Sequence, residues 1–97
     1  MTDSVFEIVT YTVKDIEQAE PARKKAYEAL MHYPGFISWT RYATAEQDRS
    51  FVDQVAWKTL SDAQSAQQVF LKDPNMADFI AVIDTVLAMS HVKKVPW

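Results

Sequence analysis

Apolar positions along the chain switch between a period of two and a period near 3.6, the alternation that separates strands from helices. Ser4 to Val13, SVFEIVTYTV, is rich in β-branched and aromatic residues and predicts a strand. One side of it presents Phe6, Ile8, Thr10 and Thr12. The other presents Val5, Val9, Tyr11 and Val13, with Glu7 near the start. Both sides are therefore partly apolar. Next comes KDIEQAEPARKKAYEALMHYPG, where Ala22, Ala26, Ala29, Leu30 and Tyr33 share one helical stripe opposite Lys24, Glu28 and His32. Asp15 and Gln18 have capping-box spacing. Pro21 would remove a hydrogen bond inside a helix, so a short first turn over 15–19 is expected, then a main helix with Pro21 in its first turn. Pro34 and Gly35 end it.

Phe36 to Thr44, FISWTRYAT, predicts a second strand, AEQDRS a polar turn, and Phe51 to Leu60 a third strand. Ser61, with Gln64 three residues on, suits a helix cap. Ala63, Ala66, Val69 and Phe70 follow as an inner stripe, and Asp73–Pro74 suits a restart of the helix. Met76, Phe79, Ile80, Ile83, Val86 and Leu87 continue an apolar face. Ala88 to Val95 predicts a fourth strand. The order βαββαβ predicts an α+β, ferredoxin-like single domain over residues 1–97. Right-handed crossovers put both helices on one face of a four-stranded antiparallel sheet.

Such a sheet leaves its other face bare. Four strands about 4.8 Å apart and about 20 Å long present roughly 380 Å². Phe6 and Ile8, Ile37 and Trp39 or Phe36 and Tyr42, Val55 and Trp57, and Met89 beside His91 are the candidates for covering it. Burying it against an identical sheet would contribute about 10 kcal/mol per subunit before association costs, at about 25 cal/mol per Å². A two-fold homodimer through the sheet face is the physical expectation.

PGFISW after the first helix, VAWKTLSDAQSA leading into the second, and DP partway along it resemble the dimeric α/β-barrel superfamily, and within it the antibiotic-biosynthesis-monooxygenase-like domains. The resemblance spans Phe6 to Val95. It implies a barrel formed between two subunits and a pocket near Trp57, which matches the tryptophan the superfamily places at the end of the third strand. It also implies cofactor-free oxidation of polycyclic aromatic or quinol-like substrates. Haem-degrading members add an asparagine on the first strand and a histidine on the second helix. Thr10 and Phe79 or Ile80 stand near those positions here, so haem degradation is not expected.

Composition narrows the chemistry further. There is no cysteine, which removes disulfides, thiolate nucleophiles and thiolate metal sites, and favours a cytoplasmic setting. The one glycine is too few for a phosphate-cradling loop. With a net charge of −3 and only RKK and KK as basic runs, nucleic-acid binding is not expected. No apolar run approaches the roughly 18 residues of a membrane helix, and MTDSVFEIV does not read as a signal peptide. The two histidines lack metal-ligand spacing, so no metal and no cofactor is expected.

Trp57 and His91 are the candidate catalytic residues. An indole can stack on a planar ligand and donate one N–H, and an imidazole can act as a base near neutral pH. Thr10, Tyr11, Trp39, Tyr42, Asp53 and Val55 are the candidate ligand contacts, with Asp53 expected near the rim and Arg41 as its partner or as an anion site. Two readings follow. One is an enzyme whose substrate activates oxygen inside an apolar cage. The other is a non-catalytic dimer that binds a hydrophobic metabolite or whose pocket is filled by side chains.

Overall fold

The computed structural model describes residues 4–96. Strand β1 (Val5–Val13) leads into helix α1 (Ile16–Leu30), then strands β2 (Phe36–Ala43) and β3 (Ser50–Trp57), helix α2 (Leu60–Phe70), a 3₁₀ turn (Pro74–Met76), helix α3 (Ala77–Val82) and strand β4 (Ile83–Val92). The strands form one antiparallel sheet in the order β2-β3-β1-β4. This is the ferredoxin-like α+β fold, with the second crossover split into α2 and α3.

Local chemistry explains the starts and stops. The Asp15 carboxylate accepts hydrogen bonds from the Glu17 and Gln18 backbone N–H groups and caps α1. The helix runs unbroken through Pro21, contrary to the expected two-part helix. Burial of Ala19, Ala22 and Ala26 along one stripe offsets the one lost backbone bond. Thr59, rather than Ser61, caps α2 by accepting from the Asp62 N–H. Asp73 caps the 3₁₀ turn through the Asn75 N–H, with Pro74 first in the turn.

The largest departure lies at the end of the chain. Ile83 to Leu87 continue a helical stripe on paper but are strand, and β4 pairs with β1 along its whole length. Ile83, Thr85 and Val86 are β-branched, and the β1 edge offers unpaired backbone groups that a longer α3 would leave unsatisfied.

All three helices lie on one face. Their Ala19, Ala22, Ala26, Leu30, Ala63, Ala66, Phe79 and Val82 form a single core with Tyr11, Val13, Val55 and Trp57 of the sheet. Odd-numbered residues of β1 and β3 thus point to the helices. In β2, a register shift between Phe36 and Ser38 puts Phe36 and Trp39, three residues apart, on that same covered face. Met89 and His91 are cross-strand partners of Val9 and Glu7 and share it too.

The expected makeup of the bare face is corrected accordingly. Trp39, Val55, Trp57, Met89 and His91 are on the helix side. The bare face carries Phe6, Ile8, Thr10 and Thr12 of β1, Ser38, Thr40 and Tyr42 of β2, Val52, Gln54 and Ala56 of β3, and Ala88, Ser90 and Val92 of β4. It is mixed rather than apolar throughout; none of these strand side chains is charged, and the one cation over them is Lys94, just beyond β4, whose ammonium lies 5.9 Å from the Phe6 ring centre among the described residues.

Candidate functional site

Between the sheet and the helices lies a cavity of about 220 Å³. Its floor is Glu7, Val9 and Tyr11 of β1, Trp39 of β2, Asp53, Val55 and Trp57 of β3, and Val86 and Met89 of β4. Leu30, Ala66, Phe70 and Phe79 from the three helices close it above. Exposed Gln67, Leu71 and Met89 mark its open side, where Gln67 Nε2 reaches Met89 Sδ at 3.9 Å. The volume exceeds a side-chain-filled core but lies below the roughly 300–1,000 Å³ of most ligand pockets, so it suits a small ring compound better than a polycyclic one.

Two carboxyl groups punctuate this apolar space. Asp53 is buried, not on the rim as expected: it is 4% exposed. Its Oδ2 accepts a hydrogen bond from the Tyr11 hydroxyl at 2.9 Å, and its Oδ1 lies 3.8 Å from Arg23 Nη2. Arg23 also donates to the Tyr11 hydroxyl and, through Nη1, to Glu20 Oε1 at 3.2 Å. Its guanidinium sits 4.7 Å from the Phe51 ring centre, with Tyr11 and Phe79 at 5.9 and 6.0 Å. Desolvation raises the Asp53 pKa above the usual carboxylate range, against the opposing pull of Arg23 and the Tyr11 hydroxyl. Burial, then the Asp53 charge, pushes the Tyr11 phenol up and keeps it protonated.

Trp39 completes this end of the cavity. Its Nε1 approaches the Asp53 carboxyl closely enough to oppose the rise in its pKa. Yet neither Trp39 Nε1 nor Asp53 Oδ1 makes a hydrogen bond of good geometry. Both atoms are fully enclosed, and Asp53 Oδ1 also faces Arg23 Nη2, so this end of the cavity is a closed polar cluster of Trp39, Asp53, Tyr11 and Arg23.

Glu7 holds the other end. Its Oε1 accepts from Trp57 Nε1 at 3.4 Å, and desolvation raises its pKa, with the Trp57 bond and the neighbouring His91 acting against the rise. Glu7 and Asp53 lie on neighbouring strands two registers apart, since Glu7 faces Val55 and Val9 faces Asp53. Such diagonal neighbours are about 7–8 Å apart.

Of the residues singled out from sequence, Tyr11, Trp39, Asp53, Val55 and Trp57 are brought together in the cavity wall. Thr10 and Tyr42 are not: both lie on the bare face. His91 does not line the cavity but stands behind Glu7, half-buried, with its Nε2 enclosed and unpartnered. Glu7 and Arg23 were missed. Glu7's place in an otherwise apolar alternating set was the available signal. Among the described residues no three His, Asp or Glu side chains converge as metal ligands, and no helix is long and apolar enough to cross a membrane.

No family model matches the chain, and no curated protein matches it in sequence. Solved structures do match in fold. A candidate antibiotic biosynthesis monooxygenase from Bordetella bronchiseptica superposes with a TM-score of 0.80 at 15% identity, over 96% of this chain and 98% of that one. SnoaB, a cofactor-independent oxygenase from Streptomyces nogalater, gives 0.72 at 19% identity, over 98% and 94%. A candidate antibiotic biosynthesis monooxygenase from Caulobacter crescentus gives 0.76 at 8%, over 97% and 92%. At these identities the likeness shows architecture. The chain has the fold of the antibiotic-biosynthesis-monooxygenase-like proteins, as its motifs implied.

Proposed function

We propose that the protein is a cofactor-independent, monooxygenase-like enzyme that oxidises a small phenolic or quinol-like ring compound in the cavity between sheet and helices. The observation that carries this is the Asp53 carboxyl set in the wall of an apolar cavity, with Trp39 and Trp57 in the same wall. A phenol in the cavity meets that carboxyl. Asp53, its pKa raised by burial, is then the general base that takes the phenol proton. Trp57 and Trp39 flank the ring as walls of the cavity. The fold likeness to a cofactor-independent oxygenase supports the same reading.

The chemistry balances with dioxygen as the oxidant. The phenolate passes one electron to O₂, and the resulting radical and superoxide join at a ring carbon to form a C–O bond. The O–O bond then breaks, that carbon loses its hydrogen as a proton, and the oxygen left behind is a carbonyl. The departing hydroxide takes the proton held by Asp53 and leaves as water. Glu7 and, behind it, His91 act as positioning residues that fix Trp57.

Oxygen uptake with single-ring quinols tests this. Asp53→Asn is expected to lower kcat/KM by about 10²-fold or more, the usual scale for a general base. The acid limb of the wild-type pH profile should lie above the ordinary aspartate range, because the base must be ionised and its pKa is raised. Wild-type rates in Asp53→Asn would remove Asp53 from the mechanism. The modest volume favours a second reading, a binding protein without turnover, which saturable quinol binding with no oxygen uptake would select.

We further propose that two copies pair through the bare sheet face. Its support is the absence of any charged group among the alternating side chains there, as in the centres of protein interfaces. A cytoplasmic, small-molecule role fits this assembly.

A further inference from the structure

A second concavity, an open cleft of about 680 Å³, lies outside the cavity between α1 and β2. Trp39 lines both spaces, so its indole is the partition between them. The cleft differs sharply from the cavity in charge. Arg23, Lys24 and Arg41 line it against Glu20 alone. This is a cationic locus on a protein whose net charge is −3. Arg23 is 2% exposed, and its Nε has no partner. Lys24 makes no ion pair among the described residues.

Glu20 shows what the cleft accepts. Its carboxylate sits between two guanidiniums, 3.2 Å from Arg23 Nη1 and 3.4 Å from Arg41 Nη2. These contacts are long, and the Glu20 side chain is 53% exposed, so the arrangement is weakly held and open to competition. Inside the cavity the opposite holds. Glu7 and Asp53 disfavour an anion there, and their carboxyl groups suit a neutral hydroxyl.

We propose that the cleft is a carboxylate subsite, so that the ligand is a phenol whose ring carries a carboxylate arm. The inference rests on the cavity reading above. The ring and its hydroxyl lie on the cavity side of Trp39, and the carboxylate meets Arg41 and Lys24 on the cleft side in place of Glu20. Guanidinium forks match a planar carboxylate in both shape and charge. The local positive field also draws an anionic ligand toward an acidic protein.

Calorimetric titration with 4-hydroxybenzoate and with its methyl ester at low salt tests the subsite. The two probes share the ring and the phenol and differ in the anion. The wild type is expected to bind the carboxylate about tenfold tighter, a ratio that shrinks as salt rises. Arg41→Gln with Lys24→Gln should bring the ratio to about one, while Lys93→Gln with Lys58→Gln, which removes the same charge elsewhere, should leave it unchanged. Glu20→Gln removes the internal competitor and should raise carboxylate affinity several-fold, a gain that nonspecific attraction to surface cations does not give. Equal affinity for the two probes in the wild type, or a ratio that survives the double substitution, overturns the subsite and leaves the cavity reading intact. Failure of both probes to bind while quinol binds overturns the subsite alone, and failure of quinol to bind as well overturns the cavity reading with it.

Discussion

The two faces of the sheet solve opposite problems. The covered face holds Glu7, Asp53 and Arg23 in a water-poor space, where each charge must find a partner or shift its pKa. The other face has no helix over it yet carries no charge among its alternating side chains. A surface meant for water would be expected to carry lysine and glutamate. On the proposed function the contrast separates roles: chemistry on the covered side, association on the other. Polar groups on the covered side are few and fixed by specific partners, whereas those on the bare side are threonines, serines, one tyrosine and one glutamine that tolerate either solvent or a neighbour.

The strongest way to break the covered face is Trp57→Ala. Trp57 is 1% exposed and packs edge-on against Phe36 at 5.9 Å. Its truncation should cost about 3–5 kcal/mol, the range for large aromatic deletions in cores, read from chemical denaturation. A loss under about 1 kcal/mol would mean the cavity collapses freely around it. A charge at the middle of the bare face comes next. Gln54→Lys, flanked by Ile8 and Thr40, should weaken self-association by roughly 2 kcal/mol per buried unpaired group and shift sedimentation toward a single chain. Unchanged sedimentation would remove that face from the interface. Monomer stability should change little, which keeps the two faces experimentally separate.

Glu7→Gln gives the smallest and most diagnostic effect. The folded-state pKa of Glu7 is raised by burial, so the folded state holds this proton more tightly than the unfolded chain does. Glu7 therefore lowers stability as pH rises from the unfolded value through the folded one. The thermal midpoint of Glu7→Gln should match wild type in acid and exceed it progressively toward neutral pH. A gap that narrows with rising pH would show that the His91 and Trp57 contacts outweigh desolvation.

Strand and helix order was readable because the periods are clean, and the fold follows from that order. What stayed hidden is instructive in physical terms. Both parities of β1 are partly apolar, so burial alone does not choose a face. The one-residue register shift after Phe36 is invisible in a two-residue rhythm, and it decides where Trp39 points. Ile83, Val86 and Leu87 satisfy helical spacing equally well, and only pairing with β1 makes them strand. Arg23 within an RKK run reads as a solvated charge because its partner Asp53 lies 30 residues away and meets it only in the folded sheet. Trp57 was nonetheless picked out because it matches the tryptophan that the resemblance places at the end of the third strand, and Asp53 because it shares the parity of Val55 and Trp57.

Gly35 adds a last consequence. It is the chain's lone glycine, sits at φ +81°, and lies so close to the Asp62 side chain that any β-carbon there would collide with it. Asp62 belongs to the first turn of α2, the helix that carries Ala66 and Phe70 in the cavity roof. A side chain at position 35 therefore works as a lever on that roof, so drift at this remote loop would tune the width of the chamber while leaving the architecture legible.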